Sequence, residues 1–540
     1  MNGLAVGLVL AVVCLPALAA KKPEPTAAER AATQGYLRVT MPQWEYAGEF
    51  TLTSMQGKKH ETFAPELKER NGLASWGGWI AAGEYQLTGI LAADGKPYAP
   101  ITVRAGEITD LGTLLRVPLG GYEYMIVPLP ESNDADADAM RARVTPLLKS
   151  PQVIRWQPAE LPQAAKFTEK GPGLGLVADL LLAHDRKVNK PPLAKILKET
   201  RDRDAFLALA KSSMPPRAEE SAVDDRGNLY FGADLGQIRV RDTAGNWSSL
   251  DTGSLLEVTA VEASGSRLVA GNIRGQLLTS SGGAWTLAHA LDPGQAVLDI
   301  DRAGSRWFVL AAEFVDTGPP GGFVAAPPGT PRSWTLKQSL HVYSGTSDDF
   351  SDLAIVKDFP MPPIWRAHWR GASDSVVGMV NGQNYVVNTG AGIQRLDLTT
   401  LNWSTAIDPG HRVDNVRFSA DGKIMTAIRQ QGAFSKVSTS TDLGATWTPQ
   451  SRPPYVLYDV AFKTADSGDA TRWNMNAFGV VLEFYQYDPE VKDWRKAYES
   501  PPGCVQMLRD ASFAQMFCLT SGGSLLVHQD GAWVAEFALE

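Results

Sequence analysis

The residues of this 540-residue chain whose types and spacing could do chemistry are a set of aspartates, one histidine and two cysteines. Asp299, Asp301, Asp414 and Asp459 flank the centres of short apolar segments, so a pair of them across a channel could act as acid and base on a glycosidic bond. The plainer alternative is that such acids face a solvated channel. His368 stands in the string WRAHWR, residues 365–370. Strand alternation places Arg366, His368 and Arg370 on one face and Trp365, Ala367 and Trp369 on the other. Arg366, His368, Trp369 and Arg370 are the candidate ligand-binding set, a basic and aromatic patch suited to an anionic ligand or a sugar. The alternative is a hydrogen-bonded core histidine with arginine stems packed on its neighbours. The sequence holds no Ser-His-Asp arrangement, His pair at helical spacing or Cys-His cluster, and it implies no metal and no cofactor.

The cysteines connect to compartment. Residues 4–15 form an apolar run followed by Pro16 and Ala17-Leu18-Ala19, the pattern of a secretory signal peptide over residues 1–20, although its start lacks Lys and Arg. No other segment approaches 18 apolar residues, so the rest of the chain carries no transmembrane candidate. Cleavage would remove Cys14 and leave Cys504 and Cys518, which predicts one disulfide in an exported protein, periplasmic or secreted. The two are symmetric about residue 511 and would face each other across a hairpin.

Composition narrows the class. The chain is 44% hydrophobic and 20% charged, globular values, and its net charge of −8 gives no support for nucleic-acid binding. Its 50 Gly and 35 Pro suit a β-rich fold with many turns. A linker covers 21–33. Alternating stretches such as YLRVT, EFTLT and EYQLTGI then predict strands over 34–130. Residues 131–216 read as a helical linker, with helical spacing over 135–148, 174–186 and 193–210. There Asp134, Asp136 and Asp138 suit a helix start, since Ala139 and Thr145 replace the Gly and Glu a calcium loop needs.

From 217 to 540 the sequence repeats. Each unit has a first strand, a Gly/Asp turn, a second and third strand, then a Trp opening a fourth. The marking residues are Trp247, Trp285, Trp403, Trp447, Trp494 and Trp533. Steps of 285 − 247 = 38, 447 − 403 = 44, 494 − 447 = 47 and 533 − 494 = 39 suit four short strands. The longer step from 285 to 403 holds two units and the Pro/Gly-rich insertion 316–331, giving seven units in all. Aligned first strands put Val223, Val261, Ile300, His368, Val416, Val460 and Met507 in one column. The predicted fold is therefore mainly β: a C-terminal seven-bladed β-propeller plus an N-terminal β-sandwich, joined by a short helical segment.

Two resemblances refine this. The string STDLGATW resembles the Asp-box of bacterial neuraminidase-type repeats, with Ser440, Asp442, Gly444 and Trp447 as its structural residues. It implies that Asp442 holds the turn between third and fourth strands, that Gly444 takes a conformation other residues resist, and that Trp447 packs between blades. The stretch SSGGAW before and including Trp285 is similar to a degenerate copy. The sialidase branch of that family also implies an F/Y-R-I-P segment, which this chain lacks, and six blades instead of seven. The second resemblance spans about ninety residues. WIAAGEYQLTGI and ITVRAGEITDLGTL resemble the carboxypeptidase-regulatory or transthyretin-like sandwiches of exported proteins, which implies an accessory domain. The functional expectation is an exported non-catalytic scaffold with a protein or glycan partner in the cell envelope; the alternative is a glycan-active hydrolase.

Overall fold

The computed structural model describes residues 26–41, 50–56, 60–63, 65–68, 74–90, 93–95, 100–120, 123–129, 153–155, 166–169, 196–197, 199–214, 216, 222–292, 295–315, 337–361, 377–389, 392–404, 413–419, 421–431, 434–451, 457–476, 479–501, 504–509, 516–520 and 524–537. The expected signal peptide, the insertion 316–331 and the helices over 135–148 and 174–186 lie outside them, as do Arg366, His368, Trp369 and Arg370. The chain is mainly β.

The N-terminal strands join in one twelve-stranded sheet, ten of them in a continuous hydrogen-bonded path and two branching from it. Near one end of that path Gln34–Met41 pairs antiparallel with Ala74–Ala81 and parallel with Ile108–Gly120. Alternation in Gln34–Met41 sends Leu37 and Val39 into a core with Phe50, Leu52, Trp76, Leu87 and Ile101. Val153–Arg155 and Lys166–Glu169, in the break between two expected helices, add strands to the same sheet. The helix expected over 193–210 is split. Ile196 accepts from the Thr200 N–H in a first turn, and a second helix, Arg203–Ser213, starts afresh because the Asp202 carboxylate caps the Ala205 N–H.

Seven consecutive antiparallel sheets follow among the described residues, six of four strands and one of three. Sheet 1 is Ala222–Val223, Leu229–Gly232, Gln237–Arg241 and Trp247–Asp251; sheet 2 is Val258–Ser264, Arg267–Asn272, Gln276–Ser281 and Trp285–Ala290. Sheet 3 runs Gln295–Ala303, Arg306–Val315, Lys337–Gly345 and Ala354–Met361, and sheet 4 runs Val377–Asn381, Asn384–Asn388 and Ile393–Asp397. Sheet 5 is Val413–Phe418, Met425–Gln431, Phe434–Ser440 and Thr448–Pro449; sheet 6 is Leu457–Thr464, Ser467–Asn476, Gly479–Asp488 and Asp493–Glu499. Sheet 7 is Cys504–Arg509, Met516–Thr520, Leu525–Gln529 and Ala532–Phe537. In every sheet the strands pair in chain order, so each is a meander, as propeller blades are.

Both faces of each sheet are apolar, and they bury against the next sheet. Sheets 1 and 2 share Ile238 and Leu278, sheets 2 and 3 share Leu277 and Trp307, and sheets 4 and 5 share Ile393 and Met425. Sheets 5 and 6 meet at Val437 and Trp494, and sheets 6 and 7 at Phe484 and Cys518. The last sheet returns to the first: Phe517, Leu525 and Val527 pack on Leu229 and Phe231, with Trp247 partly buried beside them. A fully buried residue of this kind contributes about 1.5–3 kcal/mol, so each seam is a core of its own. The helix Arg203–Ser213 is tied to sheet 1 by Arg239, whose buried guanidinium donates to the carbonyls of Lys211, Ser212 and Met214. Burial pushes Arg239 down to about 10, and the helix C-terminus is where a cation is favoured.

Candidate functional site

The repeat alignment holds at six of seven first strands and shifts at the fourth. Among the described residues sheet 4 begins with Val377–Asn381. Its innermost position is identified by its neighbour, because the Gly378 and Val380 amides donate to Asp299 and Asp301 of the sheet 3 first strand. The column position given to His368 therefore belongs to Val377–Asn381, and WRAHWR precedes the described strand. The cause is the long step through sheet 3, whose fourth strand Ala354–Met361 has no Trp to mark it.

The inner-strand acids are committed to structure. Asp299 Oδ2 accepts the Gly378 N–H at 3.0 Å and its Oδ1 accepts its neighbour Ile300 N–H at 2.9 Å. Asp301 Oδ1 accepts the Val380 N–H at 3.4 Å. First strands of adjacent sheets diverge too far for a backbone ladder, so side chains bridge them. Thr259 does so with a hydroxyl, donating to the Val297 carbonyl at 2.7 Å, while Thr426, on the second strand of sheet 5, accepts the Phe462 N–H of the sheet 6 first strand at 2.9 Å. Asp414 and Asp459 lie on the first strands of sheets 5 and 6, paired with Ile428 and Thr471, and their side chains lie outside what the structure describes.

Two residues join this group that the sequence reading did not name. Glu262, on the first strand of sheet 2, is half-buried; burial first, then the charge of Asp301, pushes its carboxyl up to about 8, partly offset by Arg302. The alignment column that holds Asp301 in the third unit holds Glu262 in the second, and that column is the signal that locates it. Tyr385, fully buried on the second strand of sheet 4, stacks on Phe308 with centroids 4.4 Å apart. A Cβ built on Gly378 would stand 2.3 Å from the Tyr385 hydroxyl and 2.9 Å from Asp299 Oδ2, so only glycine lets these two approach. Burial, then Asp301 and Asp299, raises the Tyr385 phenol well above its ordinary value. A carboxyl that keeps its proton beside ionised neighbours can donate a proton or a hydrogen bond at neutral pH. Among the described residues no group of three or more His, Cys, Asp and Glu is placed to hold a metal ion.

The Ser440–Trp447 turn has the geometry its residues suggest. Asp442 Oδ1 accepts the Thr446 N–H at 2.8 Å and the Ser440 hydroxyl at 2.7 Å, while Oδ2 accepts the Thr446 hydroxyl at 2.7 Å. Ser440 Oγ takes the Gly444 N–H at 2.7 Å. Gly444 has φ +85°, and Trp447 packs between sheets 4 and 5 against the Ile393–Met425 core. The same backbone kink recurs where no motif advertises it. Phe350, Lys492 and Asp530 at the third-to-fourth turns of sheets 3, 6 and 7, and Leu401 just after the third strand of sheet 4, have φ between 50° and 59°, matching Leu443 at 56°. Asp349 also takes the Ser351 N–H and the hydroxyls of Ser347 and Ser351, as Asp442 does with its neighbours. A second turn grammar is D/N-x-x-G-N/Q, at Asp224, Asp242 and Asn272. In each, one side-chain oxygen accepts the N–H groups two and four residues on.

Cys504 and Cys518 are brought together with Cα atoms 5.6 Å apart, buried in the seam of sheets 6 and 7. They do not sit directly opposite: Cys504 pairs with Thr520 and Met507 with Cys518, because a bulge after Cys504 shifts the register. No helix among the described residues is long and apolar enough to cross a membrane.

No family model matches the chain, and no curated protein matches it. Solved structures similar to it include the computationally designed protein Ika8, at 10% identity over 59% of this chain and 96% of that one, with a TM-score of 0.36. An oligogalacturonate lyase in complex with manganese matches at 7% identity over 57% and 87%, TM-score 0.39. The mitotic checkpoint complex matches at 10% over 57% and 88%, TM-score 0.37. Likeness at this level is no argument for fold or activity; the repeated meander sheets are the argument.

Proposed function

We propose that this chain is an exported, non-catalytic scaffold whose seven-bladed propeller presents a face to a protein or glycan partner in the cell envelope. The observation that carries this reading is the bonding of Asp299 and Asp301 to the backbone of sheet 4, which takes the acids best placed for chemistry and spends them on holding sheets together. Seven sheets with an apolar core at every seam, the seventh packed on the first, support the blade count. The Asp442 turn supports membership of the Asp-box repeats. The antiparallel pairings within residues 34–130 and the buried alternation of Leu37, Val39, Phe50, Leu52 and Trp76 support an accessory β-sandwich there. The signal-peptide pattern over 1–20 and a Cys504–Cys518 disulfide fit export to the periplasm or beyond.

A glycan-active hydrolase is the second reading, and one feature favours it: burial and then the charge of Asp301 push the Glu262 carboxyl up to about 8, in the direction a general acid of glycoside hydrolysis needs. The purified chain without residues 1–20, tested on a glycan array and on a panel of chromogenic glycosides, separates the two. The scaffold reading expects no turnover. Hydrolysis of any glycoside that Glu262→Gln and Asp301→Asn abolish overturns it in favour of the hydrolase.

A further inference from the structure

The third strand of sheet 1, Gln237–Arg241, serves two contacts at once. Ile238 enters the core shared with sheet 2, so alternation turns Arg239 and Arg241 to the face that meets sheet 7. Arg241 donates to both carboxylate oxygens of Glu536, and its guanidinium carbon stands 5.6 Å from the ring centre of Phe517. The guanidinium carbon of Arg239 stands 5.5 Å from the ring centre of Phe537, on the same last strand as Glu536. Its N–H groups meanwhile donate to the carbonyls of Lys211, Ser212 and Met214 at the end of the helix Arg203–Ser213. We propose that this helix is a strap that locks the seam between the last sheet and the first, so that undocking the helix and opening the seam are one coupled event.

Each link has a physical cause. A helix of 11 residues is marginal in water, so its order comes from docking: Phe206, Ala210 and Met214 are buried in a core with Ala233 and Leu235 of sheet 1. The Lys211–Asp251 pair at 2.9 Å adds a partly exposed tie, which is worth little. Undocking disperses the carbonyls that hold Arg239 and leaves a buried guanidinium, 2% exposed, without those acceptors. A buried cation so stripped is strongly unfavourable and must turn to water, which takes it from Phe537. The seam is suited to open in response. Sheets 1 to 6 each run on along the chain into the next, whereas every described strand of sheet 7 lies within 504–537 and none leads into sheet 1. Contacts such as Arg239–Phe537, Arg241–Glu536 and the Phe231–Phe517 packing therefore close it, with no connecting segment to restrain its opening.

Amide hydrogen exchange on the full chain tests the strap. Phe206→Ala favours the helix by propensity, so what it removes is docking. It is expected to raise exchange in Arg203–Ser213 and, about tenfold, in Ala532–Phe537, while Phe434–Ser440 of sheet 5 keeps its protection. Unchanged exchange in Ala532–Phe537 overturns the proposal, and so does an equal rise in sheet 5, which would mark general destabilisation. Coupling between two sites is reciprocal, so a second variant works from the other side and does not depend on the folding of the first. Glu536→Gln keeps the side-chain shape and gives up the charge that Arg241 binds. It is expected to raise exchange in Arg203–Ser213 by a similar factor, and helix protection equal to that of the unmodified chain overturns the proposal.

Discussion

Arg241 and Glu536, 295 residues apart, form a two-pronged ion pair that joins the first sheet to the last: Nη2 to Oε1 is 2.6 Å and Nε to Oε2 is 2.8 Å. Trp247 Nε1 donates to the same carboxylate at 3.2 Å, so the residue that opens the sheet 1 fourth strand also braces the closure. Both charged side chains are about one-eighth exposed. Breaking a fully buried pair costs about 3–5 kcal/mol; with this residual exposure Glu536→Ala is expected to cost about 2 kcal/mol. Urea denaturation followed by Trp fluorescence reads the change, and a midpoint unchanged in Glu536→Ala would show that the apolar seam closes the ring unaided.

The pairing of Cys504 with Cys518 predicts sensitivity to reductant. The enclosed segment spans 14 residues, for which a cross-link contributes about 3 kcal/mol by restricting the unfolded chain. Intact mass after alkylation without reductant should show both thiols blocked. Reduction should then lower the denaturation midpoint, and a Cys504→Ala, Cys518→Ala double variant should behave as the reduced protein does. Free thiols in material purified from the oxidising compartment would count against both the bond and the export reading.

Glu483 predicts an acid limb. It lies buried in sheet 6 and accepts from Arg472, from Asn474 at 2.8 Å, from Tyr485 at 2.9 Å and from Lys496 at 2.8 Å. Burial alone would raise its carboxyl; the four donors overcome that and hold it at about 2. A depressed folded value gives stability that is whole above the ordinary 4.5 and is lost as pH falls from 4.5 toward 2. Glu483→Gln should cost about 3 kcal/mol at neutral pH and flatten this limb, measured as urea midpoints against pH. An equally steep limb in the variant would place the acid sensitivity elsewhere.

The parts of this architecture legible in the sequence are those with a local signature. Trp247, Trp285, Trp494 and Trp533 each lie in the fourth strand of a sheet, and six of seven first strands fall where alternating apolar residues put them. Register failed at sheet 4, because the insertion 316–331 and the fourth strand of sheet 3 without a Trp left Val377–Asn381 and WRAHWR equally good strands by pattern. The left-handed turns at Phe350 and Leu401 were illegible because large apolar residues there carry no turn signal; they are imposed by a fixed step after the third strand. Tyr385 and Gly378 came to light only through contact, since nothing in either residue type announces the other.

That contact makes the last prediction. The Tyr385 hydroxyl is fully buried and has no hydrogen-bond partner among the described residues, with Gly378 pressed against it. A buried hydroxyl without a partner costs about 1–3 kcal/mol to desolvate and returns little, so Tyr385→Phe should be neutral or stabilising while keeping the stack on Phe308. Gly378→Ala should be severe, because its methyl would stand 2.3 Å from that hydroxyl and 2.9 Å from Asp299. The double variant Gly378→Ala, Tyr385→Phe removes the closer clash, and part of the lost stability should return. Thermal denaturation of the four proteins forms a double-mutant cycle. Strict additivity would mean that the two residues do not press on each other, whereas a favourable coupling of about 1 kcal/mol or more is the expected result.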